Sequence, residues 1–160
     1  MIKLRAPEQT DIDQLFTWEN DHSLYDAPLS RYQIWQYIEN YRADPFATRE
    51  LRMMISDEDN TVGHIDLFEF SPSDRRAGVG IYIDPLHRRK SIGTRALLQL
   101  EQYVITTLGM HQLWAYVAID NTASISLFTK TGYRSVGRLR SWIRRGSQYA
   151  DVLIFQKLFT

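Results

Sequence analysis

The segment 81–94 joins an apolar strand to a helix through a basic turn. It reads Ile-Tyr-Ile-Asp-Pro-Leu-His-Arg-Arg-Lys-Ser-Ile-Gly-Thr, and its three consecutive cations are Arg88, Arg89 and Lys90. The first N–H groups of a helix have no partner within the helix, and the helix dipole adds partial positive charge there. Gly93 lets a ligand approach the backbone closely. The segment therefore predicts an anion site, with a solvated basic turn as the alternative.

A second polar segment, 121–133, follows an almost wholly apolar strand. Asn121 or Thr122 can cap a short helix that ends at Gly132. Taken alone, this pattern indicates only a capped helix with a glycine stop. Together with 81–94 it gives a strand, a turn and a helix twice in succession, with an anion site at the first helix and an Asn cap at the second.

Three further polar residues, His64, Asp66 and Glu69, lie on one predicted strand. Side chains alternate along a strand, so Asp66 shares a face with His64 and Glu69 lies on the other face. A half-exposed strand with polar outward positions explains them without any chemistry. Asp66 or Glu69 is a candidate general base if its face opens on a substrate cleft. The four His residues lack the spacing of a metal site, so no metal is expected.

Apolar periodicity predicts the elements that position these segments. Strands are expected at 2–5, 51–55, 62–70, 79–83, 113–119, 133–143 and 148–159. Helices are expected after a cap at Thr10 or Asp11, at 31–41, from Ser91 to Gly109 and from Asn121 to Gly132. The order β-α-α-β-β-β-α-β-α-β-β describes a mixed α/β sheet in a single domain, 1–160. Strand 113–119 is so apolar that cover on both of its faces is predicted.

Composition narrows the class of protein. The 160 residues include 19 basic and 19 acidic side chains, and this balance argues against a nucleic-acid binder. No apolar run approaches the ~20 residues of a membrane span, and the absence of Cys favours a cytoplasmic setting. Charge is uneven, however, since residues 6–30 hold acids without Lys or Arg and residues 121–150 hold Lys and Arg without acids.

The two polar segments together resemble the GNAT superfamily of acyl-CoA-dependent N-acetyltransferases. Arg88-x-x-Ser91-x-Gly93 is similar to the family signature Gln/Arg-x-x-Gly-x-Gly/Ala. The segment from Asn121 to Tyr133 is similar to Asn-x-x-Ala/Ser-x-x-Leu-Tyr-x-x-x-Gly-Phe. The chain looks most like the branch of spermidine N-acetyltransferases and ribosomal-protein N-terminal acetyltransferases. Further support comes from residues 18–21, 62–67, 75–77 and 146–151.

The resemblance implies a GNAT fold, a sheet that splays beside acetyl-CoA, and direct attack of a primary amine on the acetyl carbonyl. It implies that the turn holds the CoA pyrophosphate, that the strand before it pairs with the pantetheine arm, and that Asn121 positions that arm. The implied cofactor-binding residues are Ile81, Tyr82, Ile83, Arg88, Arg89, Lys90, Ser91, Ile92, Gly93, Thr94, Asn121, Ser124, Phe128 and Lys130. Those implied for the acceptor are Trp18, Glu19 and Asp21.

Three departures from the family pattern bear on catalysis. Ser91 replaces the first Gly, which is tolerable if its φ is negative, and Gly78 replaces an acid common in the spermidine enzymes. Phe128 replaces the Tyr that usually protonates the thiolate. Asp66, Glu69 and Tyr82 are therefore the remaining candidates for proton transfer.

Acceptor identity and the rival functions stay open at this point. A peptide or protein N-terminus, an amino acid, an amino sugar or a polyamine could accept the acetyl group, and a homodimer is also open. The main alternative is a GNAT-fold module that binds acyl-CoA without turning it over. A domain that binds a partner and no cofactor would require both signatures to arise by chance.

Overall fold

The computed structural model describes residues 1–20, 29–41 and 44–159. Within them, seven strands form one sheet. In chain order the strands are β1 (Ile2–Arg5), β2 (Leu51–Asp57), β3 (Asn60–Ser71), β4 (Arg76–Ile83), β5 (Gln112–Ala118), β6 (Arg134–Arg145) and β7 (Gln148–Leu158). Their spatial order is β1-β2-β3-β4-β5-β7-β6.

The helices lie where the periodicity predicts them, with one addition. They are α1 (Ile12–Glu19), α2 (Arg31–Tyr41), α3 (Pro45–Thr48), α4 (Ile92–Thr106) and α5 (Thr122–Lys130), and 3₁₀ turns occupy Gln9–Asp11 and Pro85–His87. The four-residue helix α3 was not predicted. It is capped by Asp44, whose side chain accepts from Phe46 N, and it is too short to show helical periodicity.

The sheet opens between its two central strands. Neighbouring strands of the described sheet pair antiparallel except β4 and β5, which run parallel. Their pairing covers only Arg76–Gly78 of β4 and Gln112–Trp114 of β5. Beyond that point β4 continues to Ile83 and β5 to Ala118 with no further pairing between the two. A V-shaped gap therefore separates them, as the family resemblance implies.

Helices lie on both faces of the sheet, α4 and α5 on one face and α1 and α2 on the other. Ile81 and Ile83 pack into a large core with residues of α4 and α5, whereas Tyr82 packs with buried residues of α1 and α2. Because alternate residues of β4 point to opposite faces, the two helix pairs lie on opposite sides of the sheet. The side with α1 and α2 also carries His64, which stacks on Tyr82.

The predicted cover on both faces of β5 is wrong. Leu113, Ala115 and Val117 are buried on the face of α4 and α5. Trp114 is half-buried and Tyr116 is 43% exposed, so the other face of β5 is open. The strand residues that pack with α1 and α2 in the described part of the chain are Met54 of β2 and Tyr82 of β4, and their cluster includes no residue of β5.

The start of α1 also differs from the prediction. The Asp11 side chain does not cap α1, but accepts from Arg5 Nη1 and Nη2 at 2.8 Å each and from Glu8 N at 2.7 Å. It thus ties β1 to the turn before the helix. Within the described residues, no helix has both the length and the apolar character needed to cross a bilayer.

Candidate active site

The turn between β4 and α4 has a strained backbone at two residues. Ser91, the residue before α4, has φ +58° and ψ +20°, so the condition of a negative φ, under which Ser in place of Gly would be tolerable, is not met. Arg89 also has a positive φ, +64°. A left-handed residue followed directly by a helical one, Ile92, turns successive N–H groups toward a common concavity that suits an anion. The left-handed conformation is the reason why the family signature has Gly where this chain has Ser.

The three cations of the turn have different surroundings. Arg88 Nε donates to the Ile83 carbonyl at 2.9 Å, and its guanidinium lies 5.8 Å from the centre of the Tyr82 ring. It therefore fastens the turn to the end of β4. Arg89 and Lys90 are exposed, which leaves their charges available to an anion at the start of α4.

The first residues of α5 lie at the other side of the gap. Asn121 follows β5, and its side-chain oxygen accepts from Ser124 N at 3.1 Å, so the predicted cap is confirmed. Lys130 ends the same helix, eight residues after Thr122, which is about 12 Å along the axis. Asn121 and Ser124 are thus brought to the gap, whereas Lys130 lies at the far end of α5.

Phe128 lies inside the core, 3% exposed. Its ring packs edge-on against Tyr133 at 5.0 Å and parallel to Phe155 at 6.1 Å. Burial, with Glu101 adding to it, raises the pKa of Tyr133 far above its usual range. The nearby Tyr133 hydroxyl is therefore a poor substitute for the missing proton donor at Phe128.

An aromatic ring fills the place of the missing acid on β4. A Cβ added at Gly78 would lie 2.6 and 2.9 Å from Cζ and Cδ2 of Phe68. The Phe68 ring in turn packs edge-on against Trp114 of β5 at 5.2 Å. Since Gly78 and Trp114 are the last paired residues before the gap, Phe68 lies at its apex.

An ion cluster lies beneath α1, on the same face of the sheet as Phe68. Arg52 donates through Nε and Nη2 to the two carboxylate oxygens of Asp66 at 2.7 and 2.8 Å, and through Nη1 to Glu19 at 2.6 Å. Its side chain is 14% exposed. Burial alone would raise the pKa of Asp66, but the neighbouring charges of His64 and Arg52 outweigh it and hold that pKa well below its usual range. Asp66 is therefore an anion at neutral pH.

Arg52 was not among the predicted site residues, although its position in the sequence carries a signal. Arg52 is the one charged residue in the apolar run Leu51–Ile55, and in the sheet it faces Asp66 directly across the β2–β3 pair. Glu69, by contrast, is exposed at a bulge where β3 has φ +47° and the register to β4 shifts. The bulge interrupts the strict alternation from which its face was predicted.

A cavity of about 350 Å³ opens beside this cluster. It lies between α1, α2 and the sheet, and Phe68 at the apex of the gap is part of its wall. Its lining combines apolar side chains with three carboxylates and one arginine: Leu15, Glu19, Leu29, Ile34, Tyr37, Ile38, Glu50, Arg52, Asp66, Leu67 and Phe68. The volume is in the range of small-molecule sites.

The structure brings together most of the predicted acceptor and base residues. Glu19 and Asp66 share Arg52, and Trp18 Nε1 donates to Asp84 at 2.9 Å. Asp21, predicted to contact the acceptor, lies outside the described residues. Among the described residues, no group of three His, Asp or Glu side chains could hold a metal ion.

Comparison with known proteins agrees with this geometry. Residues 2–134 match the family model "Acetyltransferase (GNAT) domain". Spermidine N(1)-acetyltransferase of Vibrio cholerae is 24% identical over 156 residues, covering 94% of this chain and 89% of that protein. Human alpha/beta-tubulin-N-acetyltransferase 9 is 33% identical over 100 residues, covering 61% and 44%.

The fold has solved counterparts as well. The crystal structure of the Vibrio cholerae spermidine N-acetyltransferase with CoA and spermine superposes with a TM-score of 0.89 at 23% identity, covering 98% of this chain and 95% of that one. The family match spans most of the chain, and the described sheet has the gap that the resemblance implies. The chain therefore belongs to the GNAT acetyltransferase family and is an acetyl-CoA-dependent N-acetyltransferase.

Proposed function

We propose that acetyl-CoA binds in the V-shaped gap, with its pyrophosphate at the turn 88–94. The support is the concavity at Ser91–Ile92 together with the exposed charges of Arg89 and Lys90. The pantetheine arm would run along Ile81–Ile83, the part of β4 that is not paired with β5. There the strand N–H groups can bind the acetyl carbonyl as charge develops on its oxygen. Asn121, at the opposite side of the gap, would position the arm near the thioester.

The acceptor is proposed to be a primary amine that binds in the 350 Å³ cavity. The observation that carries this proposal is the charge of the lining, in which Glu19, Glu50 and Asp66 outnumber the single Arg52. A surplus of carboxylates in a partly buried cleft attracts an ammonium group. The cavity also ends at Phe68, beside the gap, so an amine bound in it could reach the thioester.

The other end of the acceptor is proposed to carry an anionic group. The β6–β7 hairpin extends past the last pair between β5 and β7, Ala118 with Val152. Three arginines lie on this extension, Arg140, Arg144 and Arg145, and Arg138 lies just before it, paired with Asp151. Carboxylates at one end of the site and arginines near the other favour a mixed-charge acceptor, such as an amino acid, a peptide or protein N-terminus, or an acidic amino sugar.

A polyamine is the second candidate, because two observations favour it. The relatives reported above include a spermidine N(1)-acetyltransferase, and a solved neighbour holds CoA and spermine. The cavity charge suits a polyamine as well, whereas the arginine-rich hairpin does not. Free-thiol release measured with peptides, amino acids, amino sugars and spermidine separates the two proposals, and spermidine as the best acceptor would refute the mixed-charge one.

The same assay tests the rival of an acyl-CoA-binding module, which Phe128 and Gly78 favour. Tight acetyl-CoA binding without thiol release for any amine would support that module.

For the cofactor site, Lys90→Glu should weaken acetyl-CoA affinity in calorimetric titration without loss of stability, since exposed charges contribute little to folding. Arg134→Glu is the matched control, because Arg134 is exposed on β6, where it faces Gln156 away from the open end of the gap. Equal affinity in both variants would contradict the assignment.

A further inference from the structure

His64 lies between two carboxylates on the side of the sheet that α1 covers. Its Nδ1 is 3.2 Å from Asp66 Oδ1, and its Nε2 is 3.9 Å from Glu19 Oε1. The side chain is 10% exposed, and its ring stacks on Tyr82 at 5.5 Å with an interplanar angle of 17°. The imidazole is therefore fixed in orientation by contacts on several sides.

The surrounding hydrogen bonds assign the tautomer of His64. Asp66 is an anion held by Arg52, so it accepts from the Nδ1–H of the imidazole. Nε2 then carries a lone pair and faces Glu19. The 3.9 Å between Nε2 and Glu19 Oε1 is too long for a direct hydrogen bond, but one nitrogen donor can lie within hydrogen-bond distance of both.

Other candidates for a base on this face are weaker. Asp66 is bound at both oxygens by Arg52, and its lowered pKa makes it a poor proton acceptor at neutral pH. Glu69 is exposed at the bulge, and Gly78 has no side chain. His64 instead presents Nε2 toward Glu19, which lines the cavity, and histidine is the side chain that serves most often as a general base.

Building on the proposed function, we propose that His64 is the general base that deprotonates the acceptor ammonium bound at Glu19. One N–H bond of the ammonium breaks, its proton passes to Nε2, and the freed electron pair forms the C–N bond to the acetyl carbon. The C–S bond breaks and its electron pair leaves on sulfur. The CoA thiolate takes the second proton of the nitrogen, and the imidazolium releases the first to solvent, so each turnover yields one proton.

Charged and titratable groups from four elements surround His64. They are Glu19 of α1, Arg52 of β2, Asp66 of β3, Tyr82 of β4, and Asp84 after β4, which Trp18 holds. Arg52 binds both Glu19 and Asp66, so these three groups together carry one net negative charge beside the imidazole. An incoming ammonium group neutralises this negative charge and brings its proton to Nε2.

The first test uses the wild-type enzyme and two acceptors. An α-amino acceptor has a pKa of about 8 and a lysine-like acceptor one of about 10.4. If His64 is the base, kcat/KM falls below one and the same pH for both acceptors as the pH is lowered. If the enzyme instead takes up amine already deprotonated in solution, the two profiles fall at different pH values, separated by roughly 2 units. That result would overturn the inference.

The second test uses variants. His64→Gln should lower kcat/KM by about 10²–10⁴-fold, abolish the acidic limb that the two acceptors share, and leave acetyl-CoA affinity unchanged in calorimetric titration. His111→Gln is the control, because His111 is exposed and lies directly before β5. A His64→Gln enzyme with the wild-type rate and limb would overturn the inference alone. Absence of thiol release by the wild type with every amine would overturn the proposed function too.

Discussion

Two glycines two residues apart on β4 should respond in opposite directions to the same substitution. Gly78 and Gly80 share one face of the strand, and neither has a backbone conformation that disfavours alanine. A Cβ at Gly80 would meet only Phe68 Cε1, at 3.8 Å. A Cβ at Gly78 would lie 2.6 Å from Phe68 Cζ and closer still to Cε2. The two sites therefore differ in the space above them and in little else.

The expected magnitudes follow from these contacts. Apolar carbon atoms pack best at 3.5–4.0 Å, so Gly78→Ala requires the Phe68 ring to move by about 1 Å against Trp114. Overpacking of this kind costs about 1–3 kcal/mol. Gly80→Ala should instead stabilise the protein by about 0.4–1 kcal/mol, because it restricts the unfolded chain without a clash.

Urea unfolding with a constant m-value measures both changes. In the double variant Gly78→Ala, Phe68→Leu, the smaller side chain should recover part of the loss, and this non-additivity identifies Phe68 as the cause. Equal stability of Gly78→Ala and Gly80→Ala would refute the reasoning. A displaced Phe68 ring also enters the cavity, so Gly78→Ala should raise KM for the amine and leave acetyl-CoA affinity unchanged.

Four substitutions test other parts of the site. Ser91→Gly should raise the free energy of unfolding by about 1 kcal/mol in a thermal or urea titration, since it removes a left-handed non-glycine residue. Phe128→Tyr should raise kcat at least several-fold in a thiol-release assay, while its buried hydroxyl lowers stability by about 1–3 kcal/mol; an unchanged kcat would contradict this. Arg52→Met should destabilise the fold by about 3–5 kcal/mol at pH 7, because two partly buried carboxylates lose their partner. The pKa of Asp66 is lowered by folding, so its stabilising contribution is complete above the unfolded pKa of about 4 and is lost as the pH falls further. Asp66→Asn should therefore flatten the decline of unfolding free energy below pH 4, and an unchanged decline would show that other groups cause it.

Regular elements could be predicted from sequence because their signals are local. The bounds of α2, Arg31–Tyr41, agree with the spacing of Ile34 and Ile38, which are both buried. The face assigned to β5 was wrong for a reason that no local signal carries. Whether Tyr116 is covered depends on where α1 and α2 end on the far side of the sheet.

The candidate site was predictable only in part for a related reason. The turn 88–94 is contiguous in the chain, so its cations and its helix start are visible together. Arg52 binds Glu19 and Asp66, 33 and 14 residues away, and only the antiparallel register of β2 and β3 brings them together. The φ of Ser91 could not be predicted from local preference either, because serine rarely adopts the left-handed conformation that it has here.

Asp84 links the two halves of the site physically. One of its carboxylate oxygens accepts from Trp18 Nε1 on α1 at 2.9 Å, and the other accepts from Leu86 N at 2.9 Å, at the start of the turn toward Ser91. Glu19 follows Trp18 directly in α1, so the carboxylate proposed to hold the ammonium is fastened to the segment proposed to hold the pyrophosphate. Direct attack requires the amine nitrogen and the thioester carbon to come within about 3–3.5 Å of each other. A single side chain that fixes α1 relative to the turn is a means of setting that distance before either substrate binds.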